Sequence, residues 1–199
     1  MSQAELTSKQ TYFIHPQKFA MWLFILTIIM IFGGLTSAYI VQRGMVSIDK
    51  QIMFDLPSIL WQNLAVILLS SVSMQYGVWA AKEGQKQRAA IGLLVTFALG
   101  VFFLIGQLDA WSAMTNSGLP FVDQGRPDNS VSFFYIFIGL HGLHIVAGLV
   151  VLLVAMIKTA MNTFRPGRGV ITYELTAIFW HFLGLLWVYL FFFLMMTQN

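Results

Sequence analysis

The chain has 199 residues, of which 58% are hydrophobic and only 10% are charged, and its mean hydropathy is +0.75. Soluble domains carry about 25% charged residues, so this composition excludes a water-soluble globular fold. The formal net charge of +3 comes from basic residues between apolar stretches and does not indicate a nucleic-acid partner. The sequence contains no cysteine, which excludes disulfides, thioether-attached haem and iron–sulfur ligation by this chain.

Five long stretches contain no Asp, Glu, Lys or Arg. Each reaches the ~20 residues that a helix needs to cross ~30 Å of hydrocarbon. The alternation typical of membrane β-strands is missing. We therefore predict an all-α, polytopic membrane protein: a bundle of five transmembrane helices in a single membrane domain over residues 1–199. The predicted helices cover residues 19–42, 57–81, 89–108, 131–157 and 174–196.

The basic residues predict the orientation of the bundle. Eight lie in the N-terminal tail, the second loop and the fourth loop, and three lie in the first and third loops. Because cytoplasmic segments are enriched in Lys and Arg, we expect a cytoplasmic N-terminus and an extracytoplasmic C-terminus. The first apolar stretch is too long for a cleaved signal peptide, so we expect it to remain as a membrane anchor.

Loops and small residues bear on the packing. The third loop, residues 109–130, carries two prolines and three aspartates and predicts an ordered extracytoplasmic excursion. The fourth, "TFRPGRG" at 163–169, is a basic turn that we interpret as an orientation anchor rather than a lipid head-group site. Small residues at every fourth position allow membrane helices to approach closely. They are Gly34 and Ala38; Ser73, Gly77 and Ala81; and Gly92, Thr96 and Gly100.

Three histidines are the candidate ligands within the membrane: His141, His144 and His181. Ionisable side chains in a bilayer are costly and usually functional. A bis-histidine haem needs imidazoles at similar depth on facing helices, but the first two share one helix at i, i+3. From the predicted helix ends, His181 and His144 lie roughly 9 and roughly 21 Å from the cytoplasmic side. We therefore interpret all three as structural interhelical polar positions and predict no haem or metal site on this chain.

Glu174 begins the fifth predicted helix, seven residues before His181 and on the same face. The helix macrodipole favours a carboxylate there, so we interpret Glu174 as a further structural polar position. A proton path would need acids across the membrane, and the predicted helix interiors contain no Asp or Glu. The sequence also shows no nucleophile–base pair and no glycine-rich phosphate loop, so we predict no catalytic residues.

Two long motifs resemble the cytochrome c oxidase subunit III family. "NSVSFFYIFIGLHGLHIVAG" at 129–148 is similar to the family helix with a phenylalanine-rich start and an HGxHVxxG core. "ELTAIFWHFLGLLWVYLFFFL" at 174–194 resembles its last helix, with a glutamate, then WHF, then a tryptophan. Residues 18–41 resemble the MxLFxxSE helix, and "FFLIGQLDAW" at 102–111 resembles the QxxEW segment. The motifs follow the family's order, and five helices match its short bacterial form.

The resemblance transfers some positions and fails at others. The transferred positions, which hold the bundle together, are His141, Gly142, His144, Gly148, Glu174, Trp180, His181 and Trp187. Three acidic positions of the family are missing, where this chain has Ile28, Ala110 and Gly184. No role that depends on those acids is expected here.

The resemblance implies an accessory subunit, without a redox centre, of a haem–copper terminal oxidase in aerobic respiratory electron transport. Such a subunit packs on subunit I, holds phospholipid or provides a route for oxygen, and supports sustained proton-coupled oxygen reduction. Haem and copper are expected on partner subunits I and II, and none on this chain, so the complex is the enzyme. The expected location is the bacterial cytoplasmic (inner) membrane. A fourth subunit or a respiratory supercomplex is a further candidate partner.

Alternatives remain open at this point. Short family forms also serve quinol oxidases, whereas our preferred donor is cytochrome c. A five-helix b-haem anchor that oxidises quinol would show histidines paired at matching depth. A small transporter or channel would need inverted repeats, broken helices or polar residues lining a path, and we expect helix interiors that lack them.

Overall fold

Five α-helices make up the described part of the protein. The computed structural model describes residues 16–47, 58–118, 121, 129–161 and 169–198. The helices are α1 (Pro16–Met45), α2 (Ile59–Lys82), α3 (Lys86–Asn116), α4 (Ser130–Ala160) and α5 (Gly169–Gln198). No strand occurs in these ranges. Each helix contains an apolar window long enough to cross a membrane, which confirms the predicted all-α membrane fold.

The helices extend beyond the charge-free stretches of the sequence. The largest difference is in α3, which continues to Asn116, so our prediction that residues 109–116 begin the third loop is wrong. This segment contains no Gly or Pro, and Ala110 and Met114 are buried one turn apart, so packing carries the helix past Asp109. Much of the rest of that loop, and residues 162–168 of the fourth loop, lie outside the described residues.

The helices α2 and α3 form a close antiparallel hairpin. Their three-residue turn has Gly84 at φ +76°, a left-handed conformation that glycine adopts without strain. A Cβ built on Gly92 would lie 2.6 Å from the Gly77 Cα, so the two backbones are in contact. Beside this contact, the hydroxyl oxygens of Ser73 and Thr96 are 2.7 Å apart. The small residues predicted to allow close approach therefore do so in α2 and α3.

The helix α5 occupies the centre of the bundle. It packs against α1, α2 and α4, and α3 closes the far side by packing on α2 and α4. Its two tryptophans, Trp180 and Trp187, are among the largest fully buried side chains. Within the described residues α1 packs only on α4 and α5. One of its fully buried side chains is Tyr39, whose ring lies 5.5 Å from those of Phe133 and Phe193.

Candidate functional site

Glu174 joins three helices at one end of the bundle. Its Oε2 accepts a hydrogen bond from Lys18 Nζ at 2.7 Å, and its Oε1 lies 3.1 Å from Lys82 Nζ. Lys18 is in the first turn of α1 and Lys82 ends α2, so one carboxylate connects α5 to both. The side chain of Glu174 is 24% exposed. These contacts place the three helix ends at one level.

His181 contacts α2 at the surface of the bundle. Its Nε2 lies 3.3 Å from the Gln75 Oε1, so a tautomer protonated at Nε2 donates to the amide oxygen. Gln75 is exposed and His181 is half-buried. This is a long, partly exposed hydrogen bond between neighbouring helices, and it points away from the centre of the bundle.

His141 lies in an aromatic environment in the interior. Its ring is fully buried and lies 5.1 Å from that of Trp187 and 5.8 Å from that of Phe103. Neither ring nitrogen has a hydrogen-bond partner among the described residues. Its contacts with α3 and α5 are therefore those of an aromatic ring.

His144 satisfies one ring nitrogen within its own helix. The Nδ1 lies 2.7 Å from the carbonyl oxygen of Leu140, one turn earlier in α4. The other side of the ring faces α1, where the Phe32 ring lies at 5.8 Å. The two histidines of the "HGLH" motif thus contact different helices.

The depth difference that we predicted between His144 and His181 is wrong. Trp187 contacts His141, and Trp180 lies against Gly148. These two contacts fix the antiparallel register of α4 and α5 and leave His144 and His181 roughly 5 Å apart along the axis. The predicted ~12 Å was too large because α5 begins at Gly169, five residues before the predicted start.

The faces of the helices, rather than their depths, separate the histidines. His141 faces the interior, His144 faces α1 and His181 faces α2. Within the described ranges, no group of three or more His, Cys, Asp or Glu side chains could hold a metal ion. In the part of the chain that the structure describes, no two imidazoles face each other so that they could hold one haem iron between them.

Trp180 fills the space where four helices meet. Its Nε1 donates a hydrogen bond to Ser70 Oγ on α2 at 3.0 Å. A Cβ on Gly100 of α3 would lie 2.5 Å from the Trp180 Cη2, and one on Gly148 of α4 would lie 3.2 Å from its Cζ3. The indole therefore needs both glycines. Gly142, by contrast, has ordinary contact distances, with Leu104 Cδ1 at 3.9 Å.

The three positions where the resemblance led us to look for acids are buried by packing. Ile28 is 1% exposed and Ala110 is 0% exposed, both within the apolar core. Gly184 is buried against α2, and a Cβ there would lie 3.2 Å from the Ser71 Oγ. A carboxylate at any of these positions would lose most of its hydration, and this chain has apolar or small residues there.

Sequence reasoning missed two buried amides. Asn63 on α2 is 1% exposed and Gln107 on α3 is 2% exposed. The expectation that the helix interiors lack polar residues lining a path did not anticipate these two amides. A signal was available in α2, because Asn63 lies seven residues before Ser70 on one helix face. Both positions belong to the buried stripe that packs on α3 and α5.

Comparison with known proteins gives one family. The family model for cytochrome c oxidase subunit III matches residues 1–198. A probable cytochrome c oxidase subunit 3 of Mycobacterium tuberculosis is 30% identical over 126 residues, covering 63% of this chain and 60% of that protein. One of Rickettsia bellii is 27% identical over 193 residues, covering 89% and 67%. The cytochrome bo(3) ubiquinol oxidase subunit 3 of Pseudomonas aeruginosa is 29% identical over 183 residues, covering 87% and 81%.

The alignment spans about three fifths of the length of the Mycobacterium relative. The family model, however, extends through all five helices, including the HGLH segment of α4 and the WHF segment of α5. The sequence motifs, the five apolar helices and this match agree. The chain belongs to the cytochrome c oxidase subunit III family.

Proposed function

We propose that this chain is subunit III of a bacterial haem–copper terminal oxidase, an accessory subunit without a redox centre that packs on subunit I. The observation that carries the proposal is the family match over residues 1–198, which includes every helix of the bundle. We place the N-terminus in the cytoplasm and the bundle in the cytoplasmic (inner) membrane, on the distribution of basic residues.

The surface supports a role as a packing and lipid-holding subunit. Large apolar side chains project from the bundle, among them Trp79 at 67% exposed and Leu185 at 69% exposed. In a bilayer such faces contact lipid or another subunit, and neither contact needs a ligand site on this chain. We assign these faces to contacts with phospholipid and with subunit I.

The interior supports the same role. Aromatic rings and glycine contacts fill the space between the helices, as the indole of Trp180 does beside Gly100 and Gly148. We assign His141, His144, His181 and Glu174 to holding the bundle together, and haem and copper to subunits I and II. A supporting subunit of this kind sustains proton-coupled oxygen reduction by stabilising the conformation of subunit I.

Cytochrome c is the electron donor that we propose first, because the Mycobacterium and Rickettsia relatives are named cytochrome c oxidase subunits. A quinol is the second candidate. It is favoured by the Pseudomonas aeruginosa relative, which is named a ubiquinol oxidase subunit and aligns over 81% of its length.

The test is purification of the tagged chain from its own membranes in mild detergent, followed by a reduced-minus-oxidised visible spectrum. We expect a haem band in the purified complex and none on the chain after it has been stripped of its partners. A b-type band that stays with the isolated chain would make the histidines ligands and overturn the proposal.

Oxygen uptake by the same complex then identifies the donor. Reduced cytochrome c and ubiquinol are supplied separately, each with an inhibitor-treated control. Uptake with cytochrome c alone supports the first candidate, and uptake with ubiquinol alone supports the second. A complex that contains haem but uses neither donor would contradict both assignments.

A further inference from the structure

Four buried polar side chains, one from each of four helices, occupy one level of the bundle. They are Asn63 on α2, Gln107 on α3, His141 on α4 and Trp187 on α5. All four are between 0 and 2% exposed. Each has at least one side-chain nitrogen or oxygen with no hydrogen-bond partner among the described residues. Buried polar groups are rarely left in this state because the loss of hydration is costly.

Contacts between the four helices place these groups together. The ring of Phe103 lies 5.3 Å from that of Trp187 and 5.8 Å from that of His141, and these two rings lie 5.1 Å from each other. Gln107 follows Phe103 by one helical turn, so it projects from the same face of α3. Gln107 therefore projects from the face of α3 that meets His141 and Trp187, one turn beyond Phe103.

Asn63 brings α2 into the same cluster. Its amide lies directly on the backbone of Gly106, where an added Cβ would overlap the Asn63 Oδ1. Gly106 is the residue before Gln107, so the unpartnered Asn63 Nδ2 lies at the level of the Gln107 amide. The chain thus carries a glycine at the point where this polar side chain enters the interface.

The four groups cannot satisfy one another, because donors exceed acceptors. The unpartnered atoms of Asn63 and Trp187 are N–H donors, and Gln107 adds one donor nitrogen and one acceptor oxygen. A neutral imidazole at His141 supplies one donor and one acceptor. Four donor groups therefore face two acceptors. If the four side chains pair only with one another, some N–H groups have no acceptor.

The N–H groups in excess need an acceptor that is small enough to fit between closely packed helices. A neighbouring subunit cannot supply it, because the four side chains are 98% or more buried inside this chain. A metal ion does not fit either, because amide and indole N–H groups donate hydrogen bonds and do not coordinate cations. Water accepts two hydrogen bonds and donates two, so it matches both the donor excess and the remaining acceptors.

We propose that Asn63, Gln107, His141 and Trp187 form an internal water-binding site that connects α2, α3, α4 and α5. The site is independent of the proposed oxidase role, because it rests on the hydrogen-bonding groups of this chain alone. Its water is a structural component that completes polar contacts across four helices.

The test is a structure of the full chain in its purified assembly, at a resolution that shows ordered water. We expect solvent density within ~3.2 Å of nitrogen or oxygen atoms from at least two of the four side chains. The matched experiment is the Gln107→Met variant, which keeps an unbranched side chain of similar length but removes both hydrogen-bonding functions. We expect the density beside residue 107 to disappear.

Direct pairing with no intervening density in the wild type would overturn the proposal. That outcome would mean that shifted side chains reach backbone carbonyls or each other. Solvent density that persists unchanged in Gln107→Met would remove Gln107 from the site and contradict the four-helix arrangement. If the variant does not assemble, the wild-type density alone decides.

Discussion

The first helix and the other four are held in different ways. In α2–α5, backbones and large rings meet at glycines, as at Gly77–Gly92 and beneath Trp180. In α1, Gly33 and Gly34 have no neighbouring atom within 4 Å of a built Cβ. Only 22% of the apolar window of α1 is buried, against 50% for that of α5.

This difference shows that small residues at every fourth position can serve two kinds of contact in a membrane helix. Gly34 and Ala38 have the same spacing as the residues that join α2 to α3, yet they face outward. Backbone contact at glycines joins α2 to α3. The helix α1 is instead attached by side chains along one face, among them Lys18, Phe32 and Tyr39. Its outward small residues remain available to lipid or to another subunit.

The largest effect is expected from Gly92→Val. The added Cβ alone would lie 2.6 Å from the Gly77 Cα, and both atoms belong to the packed helices. We expect a cost above ~3 kcal/mol, the upper end for overpacked interiors, and loss of folded protein. The measurement is the yield of monodisperse chain after detergent extraction. Gly34→Val is the control and should retain wild-type yield. Equal yields for the two variants would contradict the difference in packing between Gly92 and Gly34.

The next effect is expected from Trp180→Ala. It removes a fully buried indole and its hydrogen bond to Ser70, and the cost of such truncations is about 3–5 kcal/mol. Thermal unfolding of the purified assembly should shift strongly downward. Trp22→Ala on α1 is the control, because Trp22 is 58% exposed. If Trp180→Ala lowers the unfolding temperature less than Trp22→Ala does, packing around Trp180 does not determine the thermal stability.

A smaller effect is expected from Glu174→Gln, which removes both ion pairs but keeps the shape of the side chain. Partly exposed ion pairs contribute about 1 kcal/mol or less, and salt weakens them. We expect faster backbone hydrogen exchange in the second turn of α1, where the N–H groups are hydrogen-bonded within the helix, with little change in α2 and α3. Glu83→Gln, in the α2–α3 turn, is the control for lost charge. Unchanged exchange in the second turn of α1 would show that the carboxylate does not hold this end of the helix.

The smallest effect on the stability of the chain is expected at His144, because its hydrogen bond is to Leu140 of the same helix. His144→Gln should leave the oxidase complex intact. His144→Leu removes the polar group from this half-buried position and should lower the amount of subunit I that co-purifies. If His144→Leu retains subunit I at the wild-type level, the imidazole has no part in assembly.

The fold was predictable because membrane helices are marked by length and by the absence of charge. The helix ends were harder to predict. The helix α3 continues past Asp109 to Asn116, because packing favours helix over loop there. The start of α5 was also predicted five residues too late, and that error produced the wrong depth for His181. The partners of Glu174, Lys18 and Lys82, are 156 and 92 positions away along the chain, and no local pattern indicates such pairs. Gln107 was missed because a lone amide in an apolar stretch does not show which face it occupies, whereas Asn63 was missed although it shares a helix face with Ser70.

The packing of α1 also has a consequence for the order in which the protein is assembled during synthesis. The α2–α3 hairpin is joined by three residues, so it can close as soon as both helices are in the membrane. The helix α1 is made first, but within the described residues its helix partners are α4 and α5, which are made last. It therefore lies in the bilayer without its helix partners through most of translation. The ion pair between Lys18 and Glu174 forms only after α5 has emerged.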